Sequence, residues 1–160
     1  MSAMSPDVID CLLEDHESMK TSLAQLRNAT LETSRKRAIY KRFLPLLNAH
    51  TFGEEQTVMA RGLEKEELRP KVLEGLEEHH LSEYLLDRIR LAVNDEQWLA
   101  RLDVFCETLE HHLLEEEEEA FPMMREIFTS EEREEMGRRY LEARNGYQLG
   151  GVVPLAAVAS

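Results

Sequence analysis

The stretch EHHLLEEEEEAFP, residues 110–122, places two adjacent histidines ahead of five consecutive glutamates. Three apolar residues precede His112 at helical spacing, namely Leu109, Phe105 and Leu102. His111 instead follows polar residues three and four positions before it. We therefore predict a helix in which His112 and Glu116 point inward and His111 faces water. Because runs of like charge usually face solvent, Glu115, Glu117 and Glu118 are predicted to be mainly solvated.

The same pattern occurs twice along the chain. His16 and His79 are 63 residues apart, and the pairs His50/His112 and Glu54/Glu116 are each 62 residues apart. Two residues separated by four positions on a helix differ by about 40° around the axis and about 6 Å along it, so both side chains face one centre. Each half of the chain therefore supplies one helix with an inward histidine and one helix with His-x-x-x-Glu.

The composition favours a mostly helical single domain. The chain has 160 residues, of which 32% are charged and 6% are aromatic, with few glycines and prolines. Hydrophobic periodicity predicts four long amphipathic helices: one starting at Ser5-Pro6 and ending near residue 28, one over about 34–61 with a kink at Pro45, one over about 70–94, and one capped by Asp95. Short connections between such helices favour an up-down-up-down antiparallel four-helix bundle.

The region after the bundle has a different character. We expect the bundle to occupy residues 1–128 and Thr129-Ser130-Glu131-Glu132 to form a capping box for a short fifth helix over 129–146. Residues 147–160 form an uncharged, mostly apolar tail. The tail is expected to pack on its own bundle or across a homo-oligomer, and docking to a partner protein is the alternative.

Charge and cysteine usage exclude several classes of protein. The net charge of −13 argues against a nucleic-acid partner, because such proteins need a basic patch. No apolar run reaches the roughly 18 residues of a membrane span, and the N-terminus does not resemble a secretion signal, so a cytoplasmic protein without membrane contact is expected. Cys11 and Cys106 stand alone in the sequence and are predicted to be buried thiols in a reducing compartment.

The inward histidines and glutamates predict a metal site. The candidate ligands are His16, His50, Glu54, His79, His112 and Glu116. Buried carboxylates need a compensating charge, and no inward lysine or arginine repeats at these positions. Six nitrogen and oxygen ligands are too many for one tetrahedral zinc and suit two iron or manganese ions bridged by carboxylates, with iron favoured. Glu83 shares the face of His79 and is a candidate seventh ligand; the alternative is an exposed glutamate paired with Arg88 or Arg90.

Four segments resemble the hemerythrin-like, or HHE cation-binding, family: LLEDH (12–16), LLNAHTFGEE (46–55), LEEHH (76–80) and HLLEEEEEAFP (112–122). The resemblance covers about residues 6–125. It implies a non-haem diiron centre in which Glu54 and Glu116, with an oxo or hydroxo group, bridge the metals. It also implies that His16 and His50 bind one iron and that His79 and His112 bind the other.

Two departures from the oxygen-carrying members of that family bear on function. Those proteins have a further histidine four residues after the third-helix histidine, where this chain has Glu83, and their fourth-helix acid is an aspartate five residues after the histidine. Relatives with the present ligand pattern imply catalase-like or peroxidase-like removal of hydrogen peroxide. The alternative is binding, sensing or storage of iron, oxygen or nitric oxide without turnover. Repair of damaged iron centres is a less favoured third class.

Overall fold

The computed structural model describes residues 5–148, which form five helices and no strand. Helix α1 is Val8–Leu26; α2 is Thr33–Glu54, continued by a π-helical segment Glu55–Met59 and a final turn Ala60–Gly62; α3 is Arg69–Arg90. Helix α4 is Asp95–Glu115, continued by a π-helical segment Glu116–Ala120 and by Phe121–Ile127; α5 is Ser130–Gln148. The all-α helical bundle predicted from the sequence is confirmed.

Two helices begin with a different cap from the one predicted. Asp7, rather than Ser5, caps α1: its extended backbone lets the carboxylate accept from the amide of Ile9 at 2.9 Å. Asn94, rather than Asp95, caps α4 and accepts from the amide of Gln97 at 2.8 Å. Both changes move a helix start by one or two residues and leave the inward face unchanged.

The predicted capping box at the start of α5 is present. The amide of Thr129 donates to Glu132 Oε2 at 2.9 Å, and the amide of Glu132 donates to Thr129 Oγ1 at 3.2 Å. Helix α5 is longer than predicted, with 19 residues, and includes Tyr147 and Gln148 of the predicted tail. Residues 149–160 of that tail lie outside the described part of the chain.

The fifth helix packs on one side of the bundle. Helix α1 packs on α2 and on α4, α3 packs on α4, and α5 lies against both α1 and α2. A glycine permits the close approach of α5, because a Cβ atom at Gly137 would lie 1.9 Å from the carbonyl oxygen of Pro6. Pro45 lies within α2, and the helix continues past it.

Two buried apolar clusters lie on either side of a polar layer. The first cluster contains residues that precede His16 in α1 or follow Glu54 and Glu116 in α2 and α4. Examples are Leu12, Val58 and Phe121. The second holds residues on the other side of those ligands, such as Met19, Leu47 and Leu109. Both cysteines are buried free thiols, as predicted. No helix in residues 5–148 is long and apolar enough to cross a membrane.

Candidate metal centre

The six residues predicted as ligands meet in the polar layer between the two apolar clusters. All six are buried, and they form two overlapping groups whose ligand atoms lie within 4.8 Å of one another. The larger group is Glu54, His79, His112 and Glu116, and the smaller is His16, His50 and Glu116. Either group could hold a metal ion.

Each of the two glutamates lies between histidines of both groups. Glu116 Oε2 is 3.2 Å from His16 Nε2, and its Oε1 is 3.1 Å from His112 Nε2. Glu54 Oε2 is 3.6 Å from His50 Nε2 and 3.5 Å from His79 Nε2. The rings of His16 and His50 have their centroids 5.1 Å apart, as do those of His79 and His112. The arrangement is two pairs of imidazoles with a carboxylate on each side.

Several buried atoms of this layer lack a partner. His16 Nε2, His50 Nε2, Glu54 Oε2 and Glu116 Oε2 make no hydrogen bond with any described residue, although His16 and Glu116 lie close together. Leaving a buried donor or acceptor unpaired costs about 1–3 kcal/mol, and more for a charged group. Imidazole nitrogen and carboxylate oxygen are ligands that iron and manganese accept, so these residues fit a metal ion.

The outer nitrogen, Nδ1, of each of the four clustered histidines has a polar partner on another helix. The Nδ1 atoms pair as follows: His16 with Glu117 Oε1 at 2.9 Å, His79 with Glu55 Oε1 at 2.8 Å, His112 with Glu78, and His50 with the Tyr140 hydroxyl at 2.8 Å and Asp15 Oδ2 at 3.3 Å. Such a partner fixes the tautomer with hydrogen on Nδ1. The Nε2 lone pair is then directed at the centre.

The prediction that Glu117 is solvated was wrong. Only 19% of its side chain is exposed, and it contacts His16 Nδ1 and accepts from Lys20 at 2.6 Å. Glu115 is also largely covered and accepts from Lys71 at 2.7 Å, whereas Glu118 is exposed as predicted. The like-charge argument failed because cations from α1 and α3 reach the α4 glutamates.

Sequence reasoning did not identify these outer partners, although a local signal was available. Each carboxylate of the set stands next to a ligand in the chain: Asp15 before His16, Glu55 after Glu54, Glu78 before His79 and Glu117 after Glu116. Each of the four holds the histidine of a neighbouring helix and none holds the histidine beside it. The four helices are thereby linked into a closed ring.

Three other predicted positions lie outside this ring. Glu83 is exposed and belongs to neither group of clustered ligand atoms, although it lines a cavity together with His79 and His112. Arg90 pairs with Asp87 rather than with Glu83. His80 and His111 are on the surface, as predicted, with 56% and 73% of their side chains exposed.

A π-helical segment begins at or directly after the glutamate of each His-x-x-x-Glu pair. It starts at Glu55 in α2 and at Glu116 in α4, where the sequence predicted uninterrupted α-helix. Single π-helical turns are rare and occur frequently at functional sites. A π-helical turn contains more residues than an α-helical turn, so side chains after it point in different directions from those of a continuous α-helix. Glu55 and Glu117, each next to a clustered glutamate, contact the Nδ1 atoms of His79 and His16.

The metal-free site is a network of charged pairs. Burial lowers the pKa of His79, but the carboxylates of Glu54 and Glu55 outweigh this effect and raise it to about 9. The pKa values of His16 and His112 are also raised despite burial, through Glu116 above all. Burial raises the pKa of Glu116, but His112 and His16 hold it well below its usual range. Metal binding must therefore displace protons from these imidazoles.

Two small cavities reach the centre from different sides. One, of about 40 Å³, touches Glu54 and Glu116 and is otherwise lined largely by apolar side chains, among them Val58, Met59 and Phe121. The other, also about 40 Å³, touches His50, His79 and His112. A water molecule needs about 10–15 Å³ of such space, so only molecules of a few atoms fit.

Comparison with known proteins agrees with this geometry. The family model for the hemerythrin HHE cation binding domain matches residues 7–124, a range that includes all six clustered histidines and glutamates. No curated protein and no solved structure matches the chain. The match covers most of the chain, and the chain therefore belongs to the hemerythrin HHE cation-binding family.

Proposed function

We propose that the protein holds two iron ions in this layer and removes hydrogen peroxide in a catalase-like reaction. His16 and His50 would hold one ion, and His79 and His112 would hold the other, with Glu54 and Glu116 between them. When bound, such a pair of ions would supply a redox centre able to cycle between ferrous and ferric states. The observation that carries the proposal is the convergence of four imidazoles and two carboxylates, several of their inner atoms unpaired, in a buried layer.

The protein's own groups orient the ligands and limit what reaches them. Glu117, Glu55 and Glu78 accept from the Nδ1 atoms of three histidines and keep their Nε2 atoms free for metal. Lys20 offsets the charge of Glu117. The two cavities of about 40 Å³ suit peroxide or a diatomic gas better than a larger organic substrate.

One observation favours the alternative of oxygen or nitric oxide binding without turnover. The cavity beside Glu54 and Glu116 has mainly apolar walls, to which a neutral diatomic gas is better suited than a hydrogen-bonding peroxide molecule. The two functions differ in an observable way. A sensor or store changes its absorption spectrum when ligand binds, whereas a peroxide-removing enzyme releases oxygen continuously.

The test combines metal analysis with an assay of oxygen release. Purified protein should contain close to two irons per chain and release oxygen from hydrogen peroxide faster than the same amount of free iron. His112→Ala and Glu116→Ala should lose most of the iron and the activity. The neighbouring exposed residues provide matched controls, because His111→Ala and Glu118→Ala leave the buried ligand layer intact.

Two results would contradict the proposal. Fully iron-loaded protein that releases no oxygen above the free-iron control would favour the binding function. Loss of iron in His111→Ala, with retention in His112→Ala, would contradict the ligand set itself.

A further inference from the structure

Helix α5 lies beyond the matched family segment, yet one of its residues reaches a ligand histidine. Tyr140 is fully buried, and its hydroxyl oxygen is 2.8 Å from His50 Nδ1. The same hydroxyl donates to Asp15 Oδ2. One turn later on α5, Arg144 Nη1 donates to Asp15 Oδ1 at 2.7 Å. Tyr140 thus contacts both His50 and Asp15, and Arg144 contacts Asp15.

This arrangement differs from that of the other three ligand histidines. His16, His79 and His112 each have a glutamate carboxylate as the Nδ1 partner. At His50 the nearest partner is a hydroxyl, and the carboxylate of Asp15 is farther away at 3.3 Å. If Nε2 binds metal, Nδ1 carries the hydrogen and donates it to Tyr140 Oη, which in turn donates to Asp15. The tyrosine hydroxyl therefore contacts both the imidazole and the carboxylate, which also lie within 3.3 Å of each other.

The residues around Tyr140 leave space for its ring beside α2. A Cβ atom at Gly53 would lie 2.8 Å from the Tyr140 ring, so only glycine lets the ring lie on α2 directly beside Glu54. The guanidinium of Arg144 lies 5.6 Å from the centre of the same ring. Asp15 is buried and needs partners for its charge, and two of its three contacts come from α5.

We propose that Tyr140 and Arg144 are positioning residues of the metal centre, which therefore extends beyond the family domain into α5. Tyr140 holds His50 through its hydroxyl, and Arg144 holds the Asp15 carboxylate to which that hydroxyl donates. This inference rests on the proposed two-metal site. Because His16 has its own partner in Glu117, the loss of either α5 residue weakens a single metal position through His50.

The test uses the full chain and Co²⁺ as the probe. Metal-free wild-type protein and Tyr140→Phe are titrated with Co²⁺ under the same conditions, and visible absorption gives the number and affinity of the bound ions. Removal of an outer partner of a metal ligand typically costs about 10–100-fold in affinity, so Tyr140→Phe should weaken one of the two ions by that factor. The other ion should bind as in wild type. Tyr147→Phe, on the same helix and packed on Phe52, is the matched control and should change neither ion.

A second pair of variants tests the inference even if Tyr140→Phe does not fold. Arg144→Met removes the cation from Asp15 and should weaken the same single ion, whereas Arg144→Lys should restore much of the affinity because it keeps the charge. Far-ultraviolet circular dichroism of the metal-free forms checks that each variant is folded. If Arg144→Met weakened binding through a loss of helix packing, restoring the charge alone would not recover the affinity. Recovery of Co²⁺ affinity in Arg144→Lys therefore indicates that Arg144 acts by positioning Asp15.

The outcomes separate this inference from the proposed function. Two-ion binding with unchanged affinities in Tyr140→Phe and Arg144→Met would overturn the inference alone. Equal weakening of both ions would also overturn it, since α5 would then support the whole fold rather than His50. Wild-type protein that binds no Co²⁺ would contradict the proposed metal site and, with it, this inference.

Discussion

Each of the four clustered histidines has its two ring nitrogens in different surroundings. Nε2 points into the buried layer, and Nδ1 contacts an acceptor on another helix, as His16 does with Glu117. The outer acceptor selects the tautomer and prevents rotation of the ring. If these histidines bind metal as proposed, the metal affinity should also depend on residues that are not ligands.

Glu117→Gln tests that dependence. The amide keeps the shape of the side chain but removes the negative charge that lies beside His16 Nδ1. We expect metal affinity to fall about 10–100-fold. Glu118→Gln is the matched control, because it makes the same change at the next, exposed residue. Co²⁺ titration of both metal-free variants measures the effect. Equal affinities in the two variants would show that the outer carboxylate is dispensable.

At the scale of the elements, the helices are regular up to the ligands and irregular directly after them. Helices α2 and α4 each enter a π-helical segment beside the ligand glutamate. Helix α5 then covers α1 and α2, and Gly137 allows it to approach the start of α1 closely. The position of Tyr140 against His50 depends on this packing.

Gly137→Ala should therefore destabilise the protein. The new Cβ atom would lie 1.9 Å from the Pro6 carbonyl oxygen, so α5 or the start of α1 must move, at a cost of about 1–3 kcal/mol. Gly146→Ala is the control on the same helix, since no atom outside the local helix lies within 4 Å of its added methyl group. It should leave stability unchanged or raise it by up to about 1 kcal/mol. Urea unfolding of both variants measures the difference, and equal midpoints would contradict the close contact.

At the scale of the whole molecule, a charged layer divides the core into two apolar clusters. In the metal-free protein, neighbouring carboxylates favour the protonated form of three of these histidines. The pKa of His79 is raised to about 9, and those of His16 and His112 are raised as well. The stability of the metal-free fold is thereby linked to pH.

The sign of that linkage gives a prediction. A histidine with a raised pKa in the folded state contributes stability that is complete below its unfolded value of about 6.5 and is lost as pH rises through the folded value. The metal-free protein should therefore lose thermal stability between pH 6.5 and pH 9, the value for His79. Thermal unfolding followed by circular dichroism at several pH values measures this loss. His79→Ala should flatten the slope, whereas the exposed control His80→Ala should not. A metal-free protein that gains stability over this interval would contradict the charged-pair network.

Helical spacing in the sequence was sufficient to locate the bundle and the six buried residues that we propose as ligands. The apolar residues before His112 established which histidine of the pair points inward, and the repeat of His-x-x-x-Glu identified Glu54 and Glu116. These predictions depend on the geometry within one helix, where residues four positions apart always share a face. They were confirmed for burial and for proximity, since all six residues meet in one layer.

The outer partners were decided by tertiary structure alone. Glu117 contacts His16, and Tyr140 contacts His50, across 101 and 90 residues of chain. Whether a carboxylate beside a ligand faces water or a neighbouring histidine depends on how two helices are rotated against each other. The sequence did not predict the π-helical segments that begin at Glu55 and Glu116 or the packing of α5 on α1 and α2. Periodicity along one helix contains no information about the relative phase of two helices, and the packing of the whole chain supplies it.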